Sequence, residues 1–298
     1  MNILITGATG FIGSHLIKQL SITNNSLFCT LLENEINIFG EDSVKSIVLS
    51  NYNLDENVDY LRKNNIEGII HLASIVQSGQ HNSVDVEKLI DSNIKFGTIL
   101  LEIAVRAQIK WFINTGTYWQ HYNNNEYSPV NLYAATKQAY MDIAKFYIDS
   151  NKIKFCTIEL FDTLGPNDTR LKIFTLWDKL AKSGETLDMS PGEQIIDISY
   201  IDDIIEAYII LSQHLSSNSL IVTNGSVFVV KAEKRHTLKE LAEIFEKTTN
   251  QKLKINWGGK SYRDREVMVP WEHGTVVPNW KPKRTINEAI KLTLKHKT

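Results

Sequence analysis

The first seventeen residues, MNILITGATGFIGSHLI (residues 1–17), decide how the rest of the chain is read. Ile3, Leu4 and Ile5 are apolar in succession, a pattern that suits a strand buried on both faces of a parallel sheet. Gly7, Gly10 and Gly13 then supply a turn. From Phe11 onward the apolar residues Phe11, Ile12, Leu16, Ile17 and Leu20 recur at helical spacing. Strand, glycine loop and helix in that order make an anion site, because the exposed N–H groups and positive end of the helix point where the missing side chains leave room. An acidic residue, Glu33, stands twenty positions beyond Gly13, at the end of a second apolar run from Leu27 to Leu32. That is the context a dinucleotide fingerprint requires, and the loop reads as a cofactor site in preference to a structural turn.

Outward from this unit, apolar runs alternate with helical patterns. Ser46 to Leu49 follows, then a charged helix near Val58 to Asn64, a strand at Gly68 to Ser74, and a long helical segment from Val84 to Gln108. The strand Trp111 to Asn114, a helix from Leu132 to Asp149 and the strand Phe155 to Phe161 continue the alternation. This rhythm specifies an α/β fold, a doubly wound parallel sheet of the Rossmann kind, with ligands beyond the carboxyl ends of the strands. At Gly165 and Pro166 it breaks. Leu171 to Ala181 reads as a helix, Thr186 to Met189 and Ile195 to Ile201 as short extended pieces, and Asp202 and Asp203 as helix-start residues for Ile204 to Leu211. Val227 to Val230 is a buried strand, and Leu238 to Phe245 and Ile286 to Leu294 are amphipathic helices. Residues 1–163 and 194–232 are therefore assigned to the Rossmann domain, and residues 164–193 and 233–298 to a smaller interwoven substrate lobe.

Composition narrows the class. The chain has 298 residues, 43% hydrophobic and 22% charged, with a formal net charge of -2, which gives no electrostatic reason to bind nucleic acid or an acidic membrane. Cys29 and Cys156 each sit in an apolar run and read as buried thiols, with neither a disulfide nor a metal site. No apolar segment approaches a membrane span, and Met1 to Ile5 opens directly into the strand with no charged leader, so the expected location is cytoplasmic.

A bound nicotinamide carries the difficult chemistry itself, leaving the protein to position a substrate and manage one proton. Candidates for that work follow the fifth strand: Thr115, with Thr117 as its rival, then Tyr133 and Lys137 in NLYAATK (residues 131–137). Four residues apart on a helix, Tyr133 and Lys137 share a face. A nearby ammonium lowers a phenol's pKa from its usual value of about 10 toward neutrality. No other tyrosine in the chain has a lysine at that offset. His71, inside an apolar strand, reads as a packed core histidine. Trp119, Gln120 and His121 either border the substrate or pack.

These motifs resemble the extended short-chain dehydrogenases/reductases of the epimerase/dehydratase type that act on nucleotide sugars. GATGFIG, IIHLAS, the Asn93 to Thr98 segment, NLYAATK, LGPND, GEQIIDISYIDD and NWKPK stand in the family's order from end to end. Within it the chain looks most like the nucleotide-linked 4-keto-deoxyhexose 4-reductases of bacterial O-antigen pathways. The Asn114-Thr115 pair, the Gly192 to Asp203 segment and Arg263-Asp264 carry that likeness. The resemblance implies that Phe11, Ile12, Asn34, Leu72, Ala73 and Ser74 join the glycines and Glu33 around the cofactor, that Asn93 supports the cleft from behind, and that Lys137 also bonds the nicotinamide ribose. It further implies substrate contacts from Val76, Thr115, Thr117, Asp162, Lys172, Leu187 and Arg263, the last as a diphosphate clamp, and a homodimer built on the helices around Leu89 to Gln108 and Leu132 to Asp149.

Three departures matter. Dehydratases of the family carry an acid pair after the catalytic Thr, where this chain has Gly116 and Thr117, so dehydration is not expected. Ile196 stands where many relatives have arginine, and Asp162 where many have asparagine, which removes expected diphosphate contacts. The carboxylate of Glu33 suits a free ribose 2′-OH and repels a 2′-phosphate, so NAD(H) is expected over NADP(H). The expected activity is reduction of the C4 ketone of a nucleotide-linked deoxyhexose. The alternatives are a 4-epimerase using the same Tyr and Lys, and a non-catalytic dinucleotide sensor or scaffold.

Overall fold

A computed structural model of the protein describes residues 1–32, 35–48, 53–77, 79, 81–170, 172–217 and 219–295. Its first strand, β1 (Asn2–Thr6), has Ile3, Leu4 and Ile5 with no exposed surface, as three consecutive apolar residues in a sheet covered on both faces must be. The glycine turn leads into α1 (Phe11–Leu20), and β2 (Ser26–Leu31) and β3 (Val44–Val48) build outward on one side. α2 (Leu54–Lys63) starts on Asn53, whose side chain accepts from the Glu56 N–H. It places acids in its first turn and bases in its last, as the helix dipole favours. The chain then crosses to the other side of β1, where β4 (Gly68–His71) pairs directly with it.

The long helical segment is divided. α3 (Ser83–Ile90), opened by a capping box between Asn82 and Asp85, runs into a π turn at Asp91–Lys95 and on into α4 (Phe96–Arg106). Next come β5 (Trp111–Thr117), α5 (Leu132–Asp149), β6 (Lys154–Leu160) and the short β7 (Asp162–Leu164). α6 (Ile173–Ser183) ends on Gly184 in the left-handed region, and β8 (Thr186–Met189) follows. The Ile195 to Ile201 stretch is two strands, β9 (Ile195–Ile196) and β10 (Ile198–Tyr200), separated by the buried Asp197. α7 (Ile201–Ser216) begins one residue before Asp202, so both aspartates lie inside its first turn. β11 (Val227–Val230), β12 (His236–Thr237), α8 (Leu238–Thr249), β13 (Lys254–Trp257), β14 (Thr275–Val276) and α9 (Ile286–Lys295) complete the chain.

Eight strands form one sheet in the order β14-β11-β6-β5-β4-β1-β2-β3, and every adjacent pair is parallel. The order reverses between β1 and β4, which places the ligand crevice at the carboxyl ends of those two strands. One face packs Ile3, Ile5, Ile113 and Ile158 against α1, α6, α7, α8 and α9. The other packs Leu4, Ile69, Phe112 and Phe155 against α2, α4 and α5. Phe174, Trp177, Leu241 and Phe245 belong to the first of these clusters, so the C-terminal segments share their core with the sheet. β14, from the segment assigned to the lobe, is the sheet's edge strand. A two-residue strand leaves no periodicity to read.

Candidate active site

The glycine loop is built by close approach. Gly7 has φ +65, and a Cβ on it would come within 2.7 Å of the Ala73 backbone nitrogen, so the β1–α1 turn presses against the segment leaving β4. A Cβ on Gly13 would penetrate the Gly7 carbonyl oxygen, so glycine there lets the helix sit down on its own loop. Gly10 opens α1 with no side-chain cap, and among the described residues no acid lies in that first turn. A Cβ on Gly10 would meet only the Gly7 carbonyl, and otherwise open space. Uncapped N–H groups at a helix start with room above them fit a dinucleotide pyrophosphate. Phe11 and Ile12, partly buried, form the lip. Glu33 and Asn34 lie outside the described residues.

Behind the loop, the Thr6 hydroxyl accepts from the Ala73 N–H at 3.1 Å and bonds His71 Nδ1 at 2.8 Å. His71 is enclosed by Phe96, Phe112 and Tyr140. Burial, helped by the charge on Lys137, holds it down to about 3, so it is a neutral core histidine, as the sequence implied. Asn93 occupies the centre of the π turn. Its side-chain oxygen accepts from the Ser74 hydroxyl (3.0 Å) and the Ile75 N–H (2.9 Å), while its amide donates to the Ile75 carbonyl (2.9 Å) and the Thr136 hydroxyl (3.1 Å). Three of these bonds hold Ser74 and Ile75 and the fourth reaches Thr136 on α5, so Asn93 links the segment after β4 to that helix, and the extra residue of the π turn is what aims Asn93 inward.

α5 carries the proposed proton chemistry. Asn131 caps it by accepting from the Ala134 N–H at 3.0 Å, which presents Tyr133 in the first turn and Lys137 one turn later. Both are buried, Lys137 at 2% exposure. Burial pushes the Tyr133 phenol up to about 12, against the opposing pull of the Ser74 hydroxyl and the Arg170 guanidinium. It pushes the Lys137 ammonium down to about 8. This differs from the expectation of an acidic phenol. Spacing shows that an amine is near but not how dry the site is, and here desolvation exceeds the charge effects. Among the described residues no acid pairs with Lys137.

Of the rival threonines, Thr117 accepts from the Trp119 N–H and caps a short turn, while Thr115 is half-buried at the sheet's carboxyl edge. The Thr115 hydroxyl lies 2.7 Å from that of Tyr208 on α7. Trp119 sets its indole edge-on to Tyr133 with ring centroids 6.2 Å apart, so it borders that phenol.

The facing wall joins residues that the motifs singled out to two arginines, Arg170 and Arg235, that they did not. Arg170 places its guanidinium 4.8 Å from the Phe11 ring centroid, pairs with Asp168 at 2.7 Å and donates to the Thr163 hydroxyl at 3.1 Å. It therefore spans from the segment after β7 to the mouth of the glycine loop. Asp162 accepts from the Tyr118 hydroxyl at 3.2 Å and lies 3.6 Å from the Lys172 ammonium, which offsets the carboxylate that had seemed hostile to a diphosphate. Arg235 pairs with the buried Asp197 at 2.8 Å and donates to the Pro270 and Trp271 carbonyls. Ile196 pairs with His236 across β9 and β12.

Arg263 is exposed and engages Glu266 through its backbone N–H, whereas Arg265 stacks 4.2 Å above Tyr122 and donates to the Ser128 hydroxyl. Leu187 is half-buried in β8, and Val76 is exposed on the loop after β4. Gly7, Ala73, Ser74, Thr115, Tyr133 and Lys137 thus converge at the strand ends, whereas Leu187 lies in β8 and Arg263 in the segment after β13.

Beneath this wall, His121 Nε2 lies 3.0 Å from the buried Glu159 carboxylate and Nδ1 lies 3.2 Å from the Asn125 carbonyl. Both partners are acceptors, so the ring is satisfied only as the imidazolium. Burial opposes that charge, but the hydrogen bond and charge of Glu159 outweigh it and hold His121 above its ordinary value. Trp271 covers the pair by stacking on His121 at 4.2 Å. Replacing His121 by Ala strands Glu159 and is expected to destabilise the protein by about 3–5 kcal/mol in urea unfolding. The pair's contribution is full below the ordinary histidine pKa of about 6.5 and is lost as pH rises through the raised one. The H121A variant should lack that slope; a loss under about 1 kcal/mol would mean that the pair is solvated.

Residues 3–223 match the NAD dependent epimerase/dehydratase family. The chain is 31% identical over 277 residues to a CDP-abequose synthase of Yersinia pseudotuberculosis, covering 91% of this chain and 92% of that one. It is 27% identical to the CDP-abequose synthase of Salmonella muenchen, covering 99% and 97%. Among solved structures, the fold is similar to that of UDP-glucuronic acid 4-epimerase from Bacillus cereus in complex with UDP-glucuronic acid and NAD, with TM-score 0.82, 19% identity and coverage of 99% and 98%. With the glycine loop, the Tyr133–Lys137 helix and the eight-stranded parallel sheet in place, the chain belongs to the NAD-dependent epimerase/dehydratase family.

Proposed function

We propose that this protein reduces the C4 ketone of a nucleotide-linked 4-keto-6-deoxy or 3,6-dideoxy hexose, within bacterial surface-polysaccharide sugar synthesis. The observation that carries the reading is the near end-to-end similarity to CDP-abequose synthases, combined with a site in which Gly116 and Thr117 replace an acid pair. The bound nicotinamide cofactor, NAD(H) in preference to NADP(H) if Glu33 sits on the adenosine ribose, supplies the hydride. The chain does the rest. Tyr133, held protonated by its dry surroundings, gives a proton to the carbonyl oxygen as that oxygen gains charge. Thr115 orients the same oxygen, and the Lys137 ammonium offsets the charge left on Tyr133.

Arg263 is proposed to clamp the diphosphate, with Lys172 and Leu187 against the nucleotide and Asp162 positioning the Lys172 ammonium. A homodimer on α3, α4 and α5 is supported by the exposed Ile90 and Phe146 on those helices. No helix among the described residues is long and apolar enough to cross a membrane.

The second reading, 4-epimerisation, draws on the same residues and on the likeness to an epimerase fold. One experiment separates them: incubation with CDP-, dTDP- and GDP-linked 4-keto deoxyhexoses and either NADH or NADPH, following cofactor oxidation and the product by NMR. Stoichiometric oxidation with a new C4 alcohol is expected, faster with NADH. Interconversion of C4 epimers without net cofactor consumption would replace the reductase reading with the epimerase one.

A further inference from the structure

Thr115 has one hydroxyl proton, and its use depends on Tyr208. The two hydroxyls are 2.7 Å apart, and either can donate. If Thr115 donates, its proton points into the core and it meets a substrate oxygen only as an acceptor, which repels a developing alkoxide. If Tyr208 donates, the Thr115 proton is free to point into the site. Tyr208 has no exposed surface, and a phenol is a stronger acid than an aliphatic alcohol, hence the better donor of the two. Burial, with the nearby Tyr133 adding to it, keeps the Tyr208 phenol protonated at any working pH. The Tyr208 position lies on α7, which is packed on the opposite face of β5 from the helix that carries Tyr133 and Lys137.

We infer that Tyr208 is a positioning residue for the reaction: its hydroxyl donates to Thr115 Oγ1 and thereby commits the Thr115 proton to the substrate's carbonyl oxygen. The inference rests on the reductase reading above. The chain of donors runs Tyr208 to Thr115 to substrate, and each bond polarises the next. Tyr133 delivers the proton that becomes covalently bound; Thr115 keeps its own.

Tyr208→Phe retains the ring and removes only the donor. It is expected to lower kcat about tenfold, with KM changed less than twofold and the melting temperature within a few degrees of wild type, because the stabilisation is needed only as charge builds on the oxygen. Thr115→Val should cost at least as much, Thr115→Ser should stay within about threefold of wild type, and adding Tyr208→Phe to Thr115→Val should cost less than a further twofold, since the interaction is already gone. An unchanged kcat in Tyr208→Phe, an equal loss in both backgrounds, or a Tyr208→Phe protein that fails to fold would overturn the inference and leave Tyr208 a packing residue. If the wild-type enzyme is inert toward every 4-keto nucleotide sugar, the functional reading itself fails, and this inference with it.

Discussion

Tyr133→Phe is expected to lower turnover by about 10²–10⁴-fold, the usual contribution of a positioned general acid, while dinucleotide affinity changes little. In the proposed mechanism the phenol acts on the reacting oxygen, whereas the proposed cofactor cradle is the backbone around Gly7, Gly10 and Ala73. Burial that pushes the phenol up to about 12 makes it a weaker acid but keeps it in the proton-bearing form that reduction needs, and it hinders its working as a phenolate base at neutral pH. The reductive rate should therefore be flat in pH between about 6 and 7.5 and should fall as Lys137 loses its charge near 8. Stability should shift by no more than about 1 kcal/mol in Tyr133→Phe, the net worth of one hydrogen bond. Isothermal titration with NADH and single-turnover kinetics on the same preparation test both halves. Retained turnover would remove Tyr133 from the chemistry.

Lys137→Met is expected to lower turnover sharply and to make the cofactor-free protein more stable. The ammonium is 2% exposed and burial alone lowers it to about 8, against an ordinary value of about 10.4. Between those two pH values the unfolded chain holds the proton more tightly than the folded one, so wild-type stability rises with pH across that window. Below it the buried charge costs about 3 kcal/mol in full. A methionine of similar length removes that cost, and after imperfect packing a gain of about 1–3 kcal/mol remains at pH 7. Above about pH 10 the gain should vanish, because the lysine is then neutral when folded. Urea unfolding of both proteins at pH 7 and pH 10 checks the sign. If Lys137→Met is less stable at pH 7, the site is wetter than its geometry shows. Turnover should fall at least about 10²-fold, so the site holds a charge that the fold itself would be better without.

Much of this was legible in the chain alone because it is encoded locally. Three successive apolar residues before a glycine turn describe β1 wherever the chain goes, and helical spacing after Phe11 describes α1. The Tyr133 and Lys137 offset specifies a shared helix face without reference to any other element. The π turn at Asn93 escaped that reading, since one inserted residue barely disturbs a helical apolar pattern and its purpose lies in Ser74 and Ile75, eighteen or more positions away. β14 escaped because two residues carry no period.

What the sequence by itself determined was the alternation of strands and helices, the glycine loop and the Tyr–Lys helix, all set by periodicities of two and 3.6 and by residues close in the chain. Only the tertiary structure decided which groups meet and in what state of protonation. It brings Tyr208 to Thr115 across 93 positions and His121 to Glu159 across 38, lays Arg170 over Phe11, and keeps Tyr133 a protonated phenol. Those outcomes depend on desolvation and on partners distant in sequence, and neither is present until the sheet is covered on both faces.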